Sequence, residues 1–230
     1  LSGLKLVKDA STTSFTLQYR NGKRQLQLRN QAPPILLEDI PNSLSAKAIH
    51  ISPVANEISK EVVHKLRTHT SILSLDPQGF VRKFDKEGNM RLGRWKTNGI
   101  LEKIDIYKSA LEEIEVITRI HDLRMSMRRI YDIGPKTVLV TRGMKGSTLL
   151  CDEKFYKIPS CKPKILKDYT GAGDTLIGAF LAEYVRGENP VWCACVGSAA
   201  ASAKIESIGP TLLCGKEEIY RRAEKIFKKV

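Results

Sequence analysis

The 230-residue chain has no apolar run approaching the roughly 18 residues a membrane span needs, so no transmembrane helix is expected. Its first ten residues, with Lys5, Lys8 and Asp9 among them, lack the apolar stretch of a secretory signal. Cysteine is scarce: five residues, at Cys151, Cys161, Cys193, Cys195 and Cys214, odd in number and irregular in spacing. That pattern excludes a disulfide-stapled secreted fold and points to a reducing, cytoplasmic setting. Cys193 and Cys195 stand two apart in an expected helix, so they diverge rather than converge on a metal. Internal repeats and low-complexity segments are also missing. So is a P-loop, because no Gly is followed after four residues by Gly-Lys-Ser/Thr.

Positive charge is not scarce. Lys and Arg total 38 against 25 Asp and Glu, a net charge of +13, which suits an anionic partner. The basic residues are scattered, however. Only short pairs such as Arg128-Arg129 and Lys228-Lys229 cluster, without interleaved aromatics. A solvated basic surface is the expectation, with no nucleic-acid partner and no membrane partner. A composition 42% hydrophobic and 27% charged is that of a folded globular chain. Its length suits one large domain with a small appendage.

The N-terminal part alternates like β structure. Phe15, Leu17 and Tyr19 face one way, Leu26 and Leu28 follow, and Asn21-Gly22 between them suits a tight hairpin turn. A hairpin from about Ser11 to Asn30 is expected, closed off by Pro33-Pro34. Residues 1–32 would form this appendage and 33–230 the core. Beyond Pro41 strands and helices alternate. The patterns predict strands at 48–52, 71–75 and 138–141, and a turn at 76–79. They predict helices at 57–68 (capped by Asn56), 109–118, 122–131, 175–186, 190–203 and 216–227. Such alternation implies a parallel sheet with helices on both sides.

The chemistry-bearing segment is Asp168-Tyr169-Thr170-Gly171-Ala172-Gly173-Asp174, just before the helix carrying Leu176, Ala179, Phe180 and Tyr184. Its glycines let the backbone turn its N–H groups outward together, and the helix dipole adds to them. The result is an anion site. Asp174 at the helix start is placed to accept a proton from an attacking hydroxyl. A dinucleotide fingerprint would need Gly where Leu176 stands. Alone, a Gly-Ala-Gly-Asp stretch also suits an ordinary helix start.

The wider sequence resembles the PfkB/ribokinase family of carbohydrate and nucleoside kinases. The 168–174 segment is similar to that family's C-terminal signature. Val138-Leu-Val-Thr-Arg-Gly143-Met-Lys-Gly146 is similar to its Thr-x-Gly-x-x-Gly element. Lys108-Ser109-Ala-Leu-Glu112 resembles its Asn-x-x-Glu motif, with Ser109 in place of the Asn. Asp76 to Arg82 followed by Trp95 resembles its Asp-x-x-x-x-x-Arg segment, and Ala199 to Ser202 with Gly209 its adenine border. The order holds from about residue 10 onward.

The resemblance implies a ribokinase-like three-layer α/β/α sandwich with a small β lid, transferring phosphate from ATP, with Mg²⁺, to an alcohol. It implies Asp174 as general base, with Gly171, Ala172 and Gly173 as the anion hole. Thr141, Gly143, Gly146, Thr170, Ala199 and Ser202 would lie along the nucleotide, Asp76 and Arg82 at the acceptor, and Glu112 at the magnesium. The acceptor would be a sugar or cyclitol, with a nucleoside as the alternative within the family. The other alternative is a non-catalytic nucleotide- or nucleic-acid-binding protein. Family members often pair through the lid, so a homodimer is a further expectation. No counterpart of the family's opening strand and Gly-Gly motif precedes the hairpin, and the chain opens at Leu1, so a further N-terminal segment is expected.

Outside these motifs, His50 in an apolar strand reads as a satisfied core histidine rather than a ligand. His64, His69 and His121 lack metal-type spacing. Arg142 has two readings, a phosphate contact or a solvated strand end.

Overall fold

The computed structural model describes residues 6–20, 23–97, 99–209 and 214–230. Strands β1 (Ser14–Arg20) and β2 (Lys23–Asn30) pair antiparallel, as the alternation predicts, and the Asn21-Gly22 turn lies outside the described residues. Then follow β3 (Ala46–Ile51), α1 (Lys60–Arg67), β4 (Thr70–Leu75) and α2 (Gln78–Val81). A second ribbon, β5 (Arg82–Phe84) with β6 (Met90–Leu92), leads to β7 (Ile106–Ala110), α3 (Leu111–Thr118) and α4 (Leu123–Ile133). The chain continues through β8 (Thr137–Thr141), β9 (Ser147–Cys151), β10 (Lys154–Ile158), α5 (Ala172–Tyr184), α6 (Pro190–Ile205) and α7 (Lys216–Phe227).

The central sheet has the order β10-β9-β8-β7-β4-β3. Strands β3, β4, β7 and β8 run parallel, while β9 and β10 join antiparallel. The period-2 side-chain alternation of the strands divides the core into two layers. On β8, Val138 and Val140 pack toward α1, α3 and α4 with Val62, Val63, Ile114, Met127 and Ile130. Leu139 packs on the opposite face against Leu176, Ile177, Phe180, Ala194 and Ile226 of α5, α6 and α7. This is the three-layer α/β/α architecture that the alternating pattern implies.

The two ribbons join outside this sandwich. The N–H of Leu28 donates to the carbonyl of Gly88 at 2.8 Å, and the Phe15 and Phe84 rings lie 6.1 Å apart. Leu26 is buried there. The second ribbon escapes a pattern search because its strands are three residues each and rich in Arg and Lys.

Several predicted boundaries move. Helix α1 starts at Lys60, with Ser59 as its cap, because the Glu57 carboxylate binds the N–H groups of Val54 and Ala55 and holds 54–57 in a turn. Asn56 therefore caps nothing. It sits at φ 61° and its amide donates to the carbonyl of Arg82 at 3.0 Å. The helix predicted from Ser109 begins at Leu111, because Ile106 to Ala110 forms a parallel strand whose apolar run is broken by Lys108. Residues 78–81 form one helical turn rather than a plain turn. It packs backbone to backbone on the chain after β3: a Cβ on Gly79 would come within 2.4 Å of the Pro53 carbonyl carbon.

Candidate active site

In a parallel sheet, ligand sites collect at the carboxyl ends of the strands, where loops and helix N-termini meet. Here that edge gathers the ends of β4, β7 and β8 with the first turns of α3 and α5. Asp76 follows β4 directly and is 1% exposed. Its Oδ2 accepts from Lys108 Nζ of β7 at 2.5 Å, and its Oδ1 accepts from the Gln78 N–H at 3.2 Å. Burial works against the Lys108 charge, but the attraction and hydrogen bond of Asp76 outweigh it. With Glu113 and Asp174 adding to them, the ammonium is held above the usual lysine range.

Glu113, in the first turn of α3, belongs to the same cluster. Its Oε2 accepts from the Ala110 N–H at 2.8 Å. Its pKa is raised, by burial first and the negative charge of Asp76 second, against the pull of the Ala110 N–H, Lys108 and Arg82. Arg82 bonds Gln78 Oε1 at 2.5 Å, which keeps its guanidinium beside α2.

Helix α5 begins at a bare turn. Gly171 is its N-cap at φ 80°, a left-handed conformation that favours glycine. Gly173 is a glycine for a different reason, since a Cβ there would stand 2.9 Å from Lys108 Nζ. The Asp168 carboxylate holds the approach to this turn, accepting from the Thr170 N–H at 2.9 Å. The Ala172 N–H donates to the Tyr169 carbonyl at 3.2 Å, while those of Gly171 and Gly173 have no acceptor among the described residues and are free to receive an anion. Asp174 is exposed in that first turn, and its charge reaches both Lys108 and His50.

Beside the turn lies a cavity of about 150 Å³, lined in part by Thr141, Gly143, Gly146, Tyr169, Ala172 and Gly173, with Met144, Leu176, Ala201 and Ile205 supplying apolar surface. Ser202 borders it too. The arrangement can receive a flat apolar group in the cavity, an anion at the turn, and a hydroxyl near Asp174.

Residues 45–216 match the pfkB family of carbohydrate kinases. The chain belongs to that family. A cytidine kinase of Thermococcus kodakarensis is 29% identical over 168 residues, which cover 72% of this chain and 58% of that protein. An inositol 3-kinase of Arabidopsis thaliana is 27% identical over 212 residues, covering 88% of this chain and 57% of that protein. The chain thus spans little more than half the length of these relatives. A solved pyrophosphate-dependent kinase of the ribokinase family, complexed with a pyrophosphate analog and myo-inositol, superposes with a TM-score of 0.75 at 29% identity. The superposition covers 86% of this chain and 70% of that one.

Not every residue assigned by the pfkB resemblance reaches the site. Ala199 is fully buried and packs into the core on the sheet side of α6, so Ala201, not Ala199, borders the cavity. Thr170 does not line the cavity; its N–H is engaged by Asp168. Glu112 points to solvent, and its neighbour Glu113 faces the cluster. Helix geometry separates adjacent residues by about 100°, so only one of the two can face inward.

Three residues carry more than the sequence reading assigned them. Lys108 is a lone cation in an apolar strand, a signal visible in Ile106-Tyr107-Lys108. Lys204 is a lone cation in the apolar helix α6 and is 5% exposed. His50 accepts or donates through Nδ1 to Ser74 Oγ at 3.0 Å, but its buried Nε2 has no partner among the described residues. It is not the satisfied core histidine expected. Among the described residues no group of three or more His, Cys, Asp and Glu is arranged to hold a metal. No described helix is long and apolar enough to cross a membrane.

Proposed function

We propose that this pfkB family chain transfers the γ-phosphoryl group of ATP to a hydroxyl of a sugar or cyclitol. The observation that carries the reading is the bare Gly171–Gly173 turn at the start of α5, with Asp174 exposed in the first turn and a cavity alongside. The acceptor oxygen attacks the γ-phosphorus while its proton passes to the Asp174 carboxylate, and the bond from that phosphorus to the departing ADP oxygen breaks. The N–H groups of Gly171 and Gly173 stabilise charge growing on the transferred group, and the Ala172 N–H, expected to join them, is instead engaged by the Tyr169 carbonyl. Positioning and charge stabilisation account for most of the catalysis in such a transfer.

Glu113 replaces Glu112 as the proposed magnesium-side carboxylate. Magnesium is commonly held by one or two carboxylates together with substrate phosphates, so the lack of a three-residue cluster among the described residues fits it. When bound, Mg²⁺ neutralises phosphate charge. The apolar lining from Met144, Leu176, Ala201 and Ile205 favours a nucleobase-bearing donor over pyrophosphate, which has no apolar part. The acceptor end, with Asp76, Arg82 and His50, is polar and suits a polyol. The Arabidopsis inositol 3-kinase aligns over 88% of the chain, and the Thermococcus cytidine kinase over 72%. That cytidine kinase supports the second reading, a nucleoside acceptor.

The test is a phosphotransfer screen with ATP or pyrophosphate against myo-inositol, ribose and cytidine. Asp174→Asn is expected to lower turnover by roughly 100- to 10,000-fold while ATP still binds. Turnover near that of the unaltered chain would sink the mechanism.

A further inference from the structure

Two buried lysines approach the Gly171–Gly173 turn. Lys108 reaches Gly173 and is neutralised by Asp76. Lys204, the penultimate residue of α6, reaches Gly171: its Cε lies 3.6 Å from where a Cβ on Gly171 would stand. Its Nζ is buried and has no hydrogen-bond partner among the described residues. Asp168, the carboxylate that feels its charge, accepts from the N–H of Thr170 at 2.9 Å. The end of α6 is stitched to the same loop, because the Ile205 carbonyl accepts from the N–H groups of Lys167 and Asp168 at 2.9 and 3.2 Å.

A buried ammonium without a partner is costly, and proteins keep such groups where something charged completes them. The turn ahead of it is the N-terminus of a 13-residue helix with first-turn N–H groups to offer. Two independent features thus point to one ligand chemistry at one place. We propose that Lys204 is a positioning residue for the phosphoryl donor: its charge behind Gly171 draws the donor's phosphates onto the Gly171–Gly173 turn. The inference rests on the phosphoryl-transfer reading and extends it to a residue outside the family's motifs.

The test measures pyrophosphate, ATP and adenosine binding by calorimetry to the unaltered chain and to Lys204→Met and Lys204→Arg, with thermal melts of each free protein. Lys204→Met is expected to weaken pyrophosphate and ATP binding by roughly 10- to 100-fold, the range a charged hydrogen bond commands. Adenosine, which carries no phosphate, should bind unchanged, and Lys204→Arg should restore most of the loss. Because the substitution removes an unpaired buried charge, free Lys204→Met should melt no lower than the unaltered chain. Unchanged ATP and pyrophosphate affinity overturns the proposal. So does an equal loss for adenosine, or a lower melting temperature, since either would mark Lys204 as structural. If the unaltered chain binds neither ATP nor pyrophosphate, the donor reading itself falls. Binding retained equally by both variants rejects only the role of Lys204.

Discussion

Lys108 Nζ stands 2.5 Å from Asp76 Oδ2, and both side chains are almost fully buried, at 7% and 2% exposure. The register explains the meeting. Leu75 of β4 is opposite Tyr107 of β7, so the next residue of each strand comes side by side at the edge of the sheet. One register position away, neither charge would have found the other.

That pair makes a stability prediction. Lys108→Met should destabilise the fold by about 3–5 kcal/mol, because it leaves the Asp76 carboxylate buried without its cation. Adding Asp76→Leu should recover much of that loss, since no uncompensated charge remains. Urea unfolding midpoints of the single and double variants measure both. Equal stability of Lys108→Met and the unaltered chain would contradict the pairing.

A second prediction separates adjacent glutamates. Glu113→Gln should weaken the magnesium dependence of turnover by roughly 10- to 100-fold, as loss of an outer-sphere carboxylate does. Glu112→Gln, altering an exposed side chain, should leave it unchanged. Magnesium titrations of activity decide between them. The reverse ranking would return the role to Glu112.

The third concerns pH. His50 has a pKa lowered from its ordinary 6.5, by burial first, with Lys108 adding and Asp76 and Asp174 opposing. The unfolded chain therefore takes up a proton at His50 that the folded chain refuses. Stability from this group is fully present above pH 6.5 and is lost as pH falls from there toward the lower folded value. His50→Asn, which can keep a bond to Ser74, should flatten that limb. Thermal melts from pH 7.5 to pH 5 compare the slopes, and parallel curves would show that another group is responsible.

Local signals carried much of the fold into the amino-acid sequence. Helix α7 begins and ends where its apolar spacing says, at Lys216 and Phe227. Asp122 caps α4 through the Met125 N–H, and the Phe15-Leu17 alternation marks β1. The Gly171-Ala-Gly-Asp174 turn was readable because glycine conformation and helix position are both local. Strand β7 was harder, since a lysine in its centre contradicts a buried strand until Asp76 is beside it.

The alternation of most strands and helices, the two-sided sheet and the glycine turn before α5 follow from the order of residues, because periodicity and glycine act within a few positions. The choice of Glu113 over Glu112, the core-facing side of Ala199, the pairing of Lys108 with Asp76 and the unpaired charge of Lys204 required the tertiary structure. Each depends on what another segment, distant in the chain, places opposite the side chain. Burial turns that neighbour into the dominant energy, because a charge removed from water is either met or left at a cost of several kcal/mol.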